Sequence, residues 1–307
     1  MTIPTILVCD EGPGVGLGHR RRCEVIANEL ARVGFSPAIV ASGRGVIAAP
    51  VVVVDSYRFR ADDRTHFVPD VVVAIDDLDR DLDVDLLIRP GPGAPPHREH
   101  VEGAAPRTFS ERVTLAGAAY CLIDASRREI VTAAIDEPVR RILITMGAAD
   151  AAGIGAEIAA DFVACRSSAA TPIDVRLVVG PWGADIVPIG VTGVFSPKSL
   201  TEELARADIV VTAGGVTLLE SLALGRPTIV VVTAENQRAN ADACVAAGAA
   251  IEASVATAAA VGRNLIYDVD ARDACASAGR ALVDGRGAQR VASAVAQRVA
   301  SMCVVAS

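Results

Sequence analysis

The chain has 307 residues, of which 51% are hydrophobic and only 3% aromatic, and its formal net charge is −8. This length is enough for two domains of ordinary size. The acidic balance argues against a nucleic-acid-binding protein that works by bulk attraction to phosphate.

No apolar run reaches the roughly 18 residues of a membrane span, and the N-terminal residues lack the basic segment of a signal peptide. The seven cysteines form no Cys-x-x-Cys pair, so we expect reduced thiols. The sequence therefore predicts a cytoplasmic protein with no membrane span and no nucleic-acid partner. A monomer is favoured, with the oligomeric state left open.

Short apolar runs alternate with helical patterns along the chain. The predicted strands are Thr5–Cys9, Ser36–Ala41, Val51–Asp55, Val71–Ile75, Leu86–Ile88, Arg141–Thr145, Val175–Val179, Ile209–Thr212 and Thr228–Val232. The clearest helices are predicted at Arg20–Val33, at Leu200–Ala207 behind a capping box that starts at Ser199, and at Thr217–Leu224. Strand and helix in alternation indicate parallel sheets covered on both faces.

Two such series predict an α/β protein with two Rossmann-like, doubly wound domains facing across a cleft. A polar, proline-containing stretch at 136–141 suggests the boundary. We expect an N-terminal domain over 1–138, a C-terminal domain over 139–285 and a final helix over 286–307 that packs back on the body. Ligands of such sheets bind outside the carboxyl ends of the strands.

The first candidate motif is DEGPGVGLGHRRRC at residues 10 to 23. Its glycine order is not the G-x-G-x-x-G of a dinucleotide site, which is disfavoured. A strained turn with several positive φ angles explains the glycines but not His19. Because the dipole at a helix start favours a neutral imidazole, His19 is a candidate general base. The alternative is a capping role.

The second candidate motif is the loop Thr212–Thr217, which opens a helix whose free N–H groups would bind phosphate without a metal. Glu220 would bridge ribose hydroxyls, although Thr217 and Glu220 also have the spacing of a capping box. Gln237 begins another helix near the same edge.

Other strand ends carry polar groups or turns, at Asp55 with Tyr57, at Asp76 with Asp77, and at Met146 with Gly147. Their simpler explanation is turn chemistry.

A zinc site at His97 and His100 is disfavoured, because both lie in a Pro-rich loop with no cysteine partner nearby. His66 is expected at the surface. Of the arginines at 20 to 22, two are expected to form a solvated helix face.

In their order, these motifs resemble the nucleotide-sugar hydrolases of the pseudaminic acid pathway, which remove UDP from a 2,4-diacetamido-2,4,6-trideoxyhexose. Those hydrolases are similar to the GT-B glycosyltransferases, including the enzyme that adds GlcNAc to lipid-linked muramyl pentapeptide. The resemblance covers about residues 1–250. It rests on G-x-G-H-x-x-R-C from Gly16 to Cys23, V-D-x-Y, I-D-D, the Met-Gly turn and the block from Asp208 to Gln237. The chain departs from the pattern at Cys9, where the family usually has an arginine.

The resemblance implies that His19 is the base, that the loop at 214–217 binds the diphosphate and that Glu220 holds the ribose. It also implies that Tyr57 and Asp10 face the sugar. The full candidate site is catalytic His19, Asp10 and Tyr57; nucleotide-binding Gly214, Gly215, Val216, Thr217, Glu220, Gln237, Met146 and Gly147; and sugar-binding Gly18, Arg22, Asp55 and Asp76.

The predicted function is hydrolysis of a UDP-sugar at the anomeric C–O bond by His-assisted water attack, with inversion and without a metal or cofactor. One alternative is an inverting GT-B glycosyltransferase that uses an acceptor hydroxyl. A second is a non-catalytic protein that binds a nucleotide sugar. The three predict, in turn, nucleotide release without an acceptor, turnover only with an acceptor, and binding without turnover.

Overall fold

The computed structural model describes residues 2–12, 14–15, 17–43, 47–60, 63, 69–94, 112–124, 130–132, 134–135, 138–150, 152–165, 172–197 and 200–305. The strands are β1 (Ile3–Cys9), β2 (Phe35–Ala41), β3 (Val51–Asp55), β4 (Val71–Ile75), β5 (Leu86–Pro90), β6 (Val113–Gly117), β7 (Arg141–Thr145), β8 (Asp174–Val179), β9 (Thr192–Phe195), β10 (Ile209–Thr212), β11 (Thr228–Val230) and β12 (Ile251–Glu252). The α-helices are α1 (Gly18–Arg32), α2 (Ile154–Cys165), α3 (Leu200–Arg206), α4 (Val216–Ala223), α5 (Arg238–Ala246), α6 (Ala258–Tyr267), α7 (Val269–Leu282) and α8 (Gly287–Val305).

The chain forms two compact units. The first comprises Met1–Gly12, Leu17–Asp124 and Arg286–Ser307, and the second comprises Pro13–Gly16 and Ala125–Gly285. Each unit contains one six-stranded sheet in which all neighbouring strands are parallel. The predicted fold class, two doubly wound α/β domains with parallel sheets, is confirmed.

The sheet of the first unit has the strand order β2-β1-β3-β4-β5-β6. Every residue of β3 and β4 is buried, because helices and loops cover both faces of the central strands. On one face α1 and α8 pack against the sheet through residues such as Ile26, Leu30 and Val291. The C-terminal helix α8 thus belongs to the core of the first unit, although it follows the second unit in the chain.

The sheet of the second unit has the order β12-β11-β10-β7-β8-β9. Its main core lies between the sheet and α2 and α6, around residues such as Ile144, Phe162 and Val211. A smaller core on the other face includes Leu143, Val210 and Leu204 of α3. The alternation of Val210 and Val211 between the two cores is the period-2 pattern of a strand buried on both faces.

The second unit begins before the predicted boundary at residue 139. The connecting residues belong to it because buried arginines hold them there. The Nη2 group of Arg226 donates to Thr132 Oγ1 at 3.0 Å, and that of Arg272 donates to the Ile135 carbonyl at 3.0 Å. The segment that contains Thr132 and Ile135, just before the polar stretch, is therefore tied to the second unit.

Three strands, β6, β9 and β12, were not predicted from the sequence. All three are edge strands, and none has the fully buried pattern of β3 and β4. An edge strand covers less core, so its sequence needs no continuous apolar run. The helix stop at Gly225 is as predicted, with a φ of +62° just after α4.

Among the helices of the described residues, none combines the length and apolar character that crossing a membrane requires. His97 and His100 of the predicted Pro-rich loop lie outside the described part of the chain, as do His66 and the capping residue Ser199.

Candidate functional site

The side chain of His19 projects from the first turn of α1 onto the carboxyl end of the first sheet. Its Nδ1 lies 2.5 Å from Asp55 Oδ1, where β3 ends. Both groups are withdrawn from solvent, with His19 3% and Asp55 1% exposed. The helix is capped at Leu17 without a side-chain hydrogen bond, so the geometry favours an acid–base role over a capping role for His19.

The hydrogen bonds of His19 assign its tautomer. A carboxylate oxygen only accepts, so the ring nitrogen beside Asp55 must carry the proton. Arg22 Nη2 lies 3.0 Å from the same Nδ1 but donates to Asp55 Oδ1 at 2.7 Å, so with Nδ1 protonated its approach to the ring is a contact between two donors that share the Asp55 acceptor, and not a hydrogen bond to His19. The proton on Nδ1 leaves a lone pair on Nε2, the atom that can accept a proton from a reacting group.

Arg22 holds Asp55 with a two-point contact. Its Nε donates to Asp55 Oδ2 at 2.8 Å and its Nη2 donates to Asp55 Oδ1 at 2.7 Å. Burial opposes the charged guanidinium, but Asp55 and Asp77 raise the pKa of Arg22 well above its ordinary value. This fork fixes the plane of the Asp55 carboxylate and therefore the acceptor that orients His19.

Tyr57 lies beside the imidazole. The two ring centroids are 4.4 Å apart, and the planes meet at 83°, an edge-to-face contact. The Tyr57 hydroxyl donates to Asp77 Oδ2 at 3.2 Å, the atom that also accepts from Arg22 Nη1 at 2.6 Å. The structure thus joins His19, Asp55, Arg22, Asp77 and Tyr57 in one closed ring of contacts.

The predicted sugar-binding residues include Asp76 and not its neighbour Asp77. In the structure the buried Asp76 carboxylate accepts from Arg80, through the backbone N–H at 2.8 Å and through Nε at 2.6 Å. Asp76 therefore organises the turn after β4, and Asp77 is the carboxylate that contacts Arg22 and Tyr57. The I-D-D pattern signalled a carboxylate there, but the sequence did not show which of the two turns toward α1.

Asp10 also has a different arrangement from the expected one. Its Oδ2 accepts from Ser56 Oγ at 2.9 Å and from the Tyr57 N–H at 3.1 Å, and its Oδ1 accepts from Ser42 Oγ. These partners follow β2 and β3, so Asp10 ties together the turns after three adjacent strands. This role supports the loop that carries Tyr57, and the contact of Asp10 with the sugar stays a prediction.

Arg22 and Asp55, which were predicted as sugar contacts, are instead largely satisfied by each other. Of the other two arginines, Arg20 bonds to Glu24 on the exposed side of α1 at 2.9 Å.

In the glycine-rich turn, Gly12 is the one described glycine with a positive φ, of +134°. The expected run of several left-handed glycines is therefore not found among the described residues, and Gly18 is already the first residue of α1.

In the second unit, the loop after β10 leads into α4. The N-cap of α4 is Gly215, which makes no side-chain capping bond. The first N–H groups of α4, those of Val216 and Thr217, therefore have no side-chain cap. The predicted capping box of Thr217 and Glu220 is wrong, because the helix begins before Thr217. Glu220 lies in the second turn of the helix and is only 2% exposed.

Gln237 is bonded to this loop. Its Oε1 accepts from the Gly214 N–H at 3.3 Å and from the Thr233 N–H at 3.0 Å. A Cβ atom at position 214 would lie 2.9 Å from the Gln237 Cβ, whereas one at position 215 would meet nothing within 4 Å. Gly214 is thus required by close packing, and Gln237 positions the loop.

The turns after β7 and β8 meet at the same edge of the second sheet. Gly147 has a φ of +93°, which favours glycine, and Met146 packs in the core beneath it. A Cβ at Gly180 would lie 2.6 Å from the Ala148 backbone. The sequence analysis missed Gly180; its signal was a glycine directly after the run Val175–Val179.

The carboxyl ends of β7, β10 and β11 are adjacent in this sheet. They bring together the Met146–Gly147 turn, the Gly214–Gly215 loop and the segment that carries Gln237. In the described residues, no group of three or more His, Cys, Asp or Glu side chains is placed to hold a metal ion. The chemistry available from the described side chains is hydrogen bonding, proton transfer and binding of an anion at a helix start.

Comparison with known proteins gives matches of two kinds. Residues 193–271 match the glycosyltransferase family 28 C-terminal domain. Among solved structures, MurG from Acinetobacter baumannii aligns with a TM-score of 0.59 and 14% identity, over 96% of this chain and 100% of that one. The glycotransferase of kitacinnamycin aligns with a TM-score of 0.63 and 15% identity, over 97% and 100% of the two chains.

The spinosyn rhamnosyltransferase SpnG, solved with thymidine diphosphate, aligns with a TM-score of 0.59 and 14% identity over 92% of this chain and 96% of that one. No curated protein gives a significant match. The structural matches establish the GT-B fold. With the matched C-terminal domain, they support an enzyme of glycosyltransferase-like type. They fit the transferase alternative better than the predicted hydrolase, and nothing in them confirms a link to pseudaminic acid.

Proposed function

We propose that this protein is an inverting, metal-independent glycosyltransferase that moves a sugar from a nucleoside diphosphate donor to an acceptor hydroxyl. The observation that carries the proposal is the His19–Asp55 pair, buried at the carboxyl end of a sheet with the Nε2 lone pair unused by Asp55. A histidine fixed in this tautomer is equipped to deprotonate a hydroxyl.

In the proposed reaction, His19 Nε2 takes the proton of the acceptor hydroxyl while the oxygen attacks the anomeric carbon of the sugar. The bond between that carbon and the diphosphate oxygen breaks, and its electron pair leaves with the nucleoside diphosphate. Attack from the face opposite the leaving group inverts the anomeric configuration. Asp55 stabilises the imidazolium that forms, and the proton later passes to solvent.

The second unit supplies the groups suited to the leaving group. The N–H groups at the start of α4 and the positive end of its dipole favour a diphosphate, whose charge grows as the bond breaks. Gln237 and Gly214 hold the loop in shape. Glu220 is proposed to bind the ribose hydroxyls, and Met146 and Gly147 the neighbouring part of the nucleotide. Uridine is the expected base.

A hydrolase that acts on a UDP-sugar is the second candidate. The observation in its favour is the motif order from Gly16 to Gln237, which resembles the pseudaminic-pathway hydrolases. The same His19–Asp55 pair would activate water in place of an acceptor hydroxyl. The two candidates share every step except the identity of the nucleophile.

One experiment separates them. The purified protein is incubated with a panel of UDP- and TDP-sugars, with and without a panel of hydroxyl acceptors, and released nucleotide and new glycosides are followed by mass spectrometry. The transferase predicts nucleotide release only with an acceptor, together with a glycoside of inverted configuration. Release without an acceptor identifies the hydrolase. Binding of a nucleotide sugar without any turnover contradicts both.

A further inference from the structure

Two carboxylates share one guanidinium beside the base. Arg22 contacts Asp55 through Nη2 at 2.7 Å and Asp77 through Nη1 at 2.6 Å. The three side chains are at most 12% exposed, so solvent screens their charges weakly. If only one carboxylate were present, it would be neutralised by Arg22 and would have less negative charge to offer His19.

We propose that Asp77 is a positioning residue for the base: its carboxylate balances the charge of Arg22, so that the Asp55 carboxylate remains available to His19. With a neutral imidazole, Asp55, Asp77 and Arg22 together carry one net negative charge. When His19 accepts a proton, the four side chains become neutral as a group. This consequence for catalysis rests on the proposed function, whereas the effect on His19 itself does not.

The contacts of the Asp77 carboxylate with Arg22 and Tyr57 support this positioning role. Tyr57 donates its hydroxyl to the same Oδ2 that accepts from Arg22, and the Tyr57 ring contacts the edge of His19. Asp77 thus fixes both side chains that touch the imidazole besides Asp55. Its neighbour Asp76 is occupied by Arg80, so it cannot replace Asp77 in this role.

A purely structural role for Asp77 makes a different prediction. If Arg22 needs only a hydrogen-bond acceptor at this position, Asp77→Asn keeps one in nearly the same place and preserves activity. If the charge matters, Asp77→Asn is impaired although it folds, and Asp77→Glu recovers part of the function. The exposed Asp81, whose side chain is 81% exposed, supplies the control: Asp81→Asn removes one negative charge from the same loop away from the site.

The first measurement is turnover of the nucleotide sugar identified by the panel. We expect Asp77→Asn to lower kcat about 10-fold or more while KM for the nucleotide sugar changes less than about twofold, because the nucleotide contacts lie elsewhere. Asp77→Glu should recover a third or more of the wild-type kcat, and Asp81→Asn should match wild type. Wild-type kcat in a folded Asp77→Asn protein overturns the proposal.

The second measurement needs no activity. Ring-nitrogen NMR of histidine-labelled protein reads the neutral tautomer of His19, whose signals are identified by their loss in His19→Gln. Wild type should be predominantly protonated on Nδ1. In Asp77→Asn, the form protonated on Nε2 should increase about threefold or more. Arg22 is then paired with the Asp55 carboxylate alone, which makes Asp55 a weaker acceptor for the Nδ1–H group of His19.

The two measurements separate the possible failures. An altered tautomer without any turnover in wild type leaves the role of Asp77 standing and removes the proposed function. In the other case, turnover depends on His19, but Asp77→Asn changes neither the turnover nor the tautomer of His19. This result contradicts the role of Asp77 and leaves the proposed function standing. If Asp77→Asn does not fold, the tautomer of His19 is measured in Asp77→Glu instead. This variant keeps the negative charge, so loss of the wild-type tautomer in it contradicts the proposal that Asp77 acts by balancing the charge of Arg22.

Discussion

At the scale of single residues, the site depends on which partner each polar side chain finds. His19 and Asp55 are 36 residues apart in the chain and yet form a 2.5 Å contact. Asp55, which was predicted as a sugar contact, thereby orients the His19 imidazole. A histidine at a helix start has many possible roles, and this partner favours proton transfer over the others.

His19→Asn tests the base. General-base catalysis contributes roughly 10²–10⁴-fold, so turnover should fall by about that factor, while the affinity for nucleoside diphosphate stays near the wild-type value. Steady-state kinetics and calorimetric titration measure the two effects, and thermal unfolding controls for misfolding. Undiminished turnover in the variant would remove His19 from the mechanism.

Glu220→Gln tests the nucleotide site in the second unit. The amide has nearly the same shape but lacks the charge, and hydrogen bonds to charged groups contribute about 1.5–3 kcal/mol. Nucleotide affinity should therefore fall roughly 10-fold or more, with a midpoint of thermal unfolding close to wild type. The opposite pattern, unchanged affinity and lower thermal stability, would show that Glu220 serves the helix and not the nucleotide.

At the scale of elements, the loop before α4 shows how two adjacent glycines differ. Gly214 packs on Gln237, and Gly215 faces open space at a φ of −90°. The same glycine pair therefore has a packing requirement at one position and room for a ligand at the next. Such a loop leaves the backbone N–H groups at the helix start accessible to an anion.

The pair Gly214→Ala and Gly215→Ala tests this loop. Overpacking costs about 1–3 kcal/mol, and each kcal/mol lowers Tm by roughly 2–4 °C in a protein of 150–250 residues. Gly214→Ala should therefore lower Tm by several degrees. Gly215→Ala should leave Tm unchanged and weaken nucleotide binding, because its methyl group occupies the space proposed for the diphosphate. Equal nucleotide affinity of Gly215→Ala and wild type would place the diphosphate elsewhere.

At the scale of the whole molecule, the two units bury all five of the described thiols. Cys9, Cys23, Cys121, Cys244 and Cys275 are free and buried. Burial raises the pKa of Cys244 to about 12 and raises that of Cys275 as well. These groups hold almost no thiolate at neutral pH and behave as small core residues.

A thiol titration checks this packing. At pH 8 the native protein should react quickly through at most two of its seven cysteines, Cys165 and Cys303, whose side chains lie outside the described set. The other five should react only after unfolding in denaturant, because burial denies the reagent access to all of them and the low thiolate fraction slows Cys244 and Cys275 further. Rapid reaction of more than two thiols in the native protein would show that one of the cores opens readily.

The sequence alone determined the central strands and the fold class. Strands such as Val51–Asp55 and Val71–Ile75 are buried on both faces, and that burial requires a continuous apolar run, which is visible in any sequence that has it. The position of His19 at a helix start and the glycine-containing loop before α4 could also be predicted, because both depend on residues that are close together in the chain. Three of the four edge strands, β6, β9 and β12, were missed because they cover too little core to need such a run.

Only the tertiary structure decided the partners within the site. It selected Asp77 over Asp76, gave Asp55 to His19 and Arg22, and used Asp10 to join three turns. Three of these four contacts join residues 33 to 55 positions apart, whereas Asp76 bonds to Arg80 only four positions away. The direction of a side chain after a strand depends on the turn that follows, and that turn is held by distant groups which a local pattern does not contain.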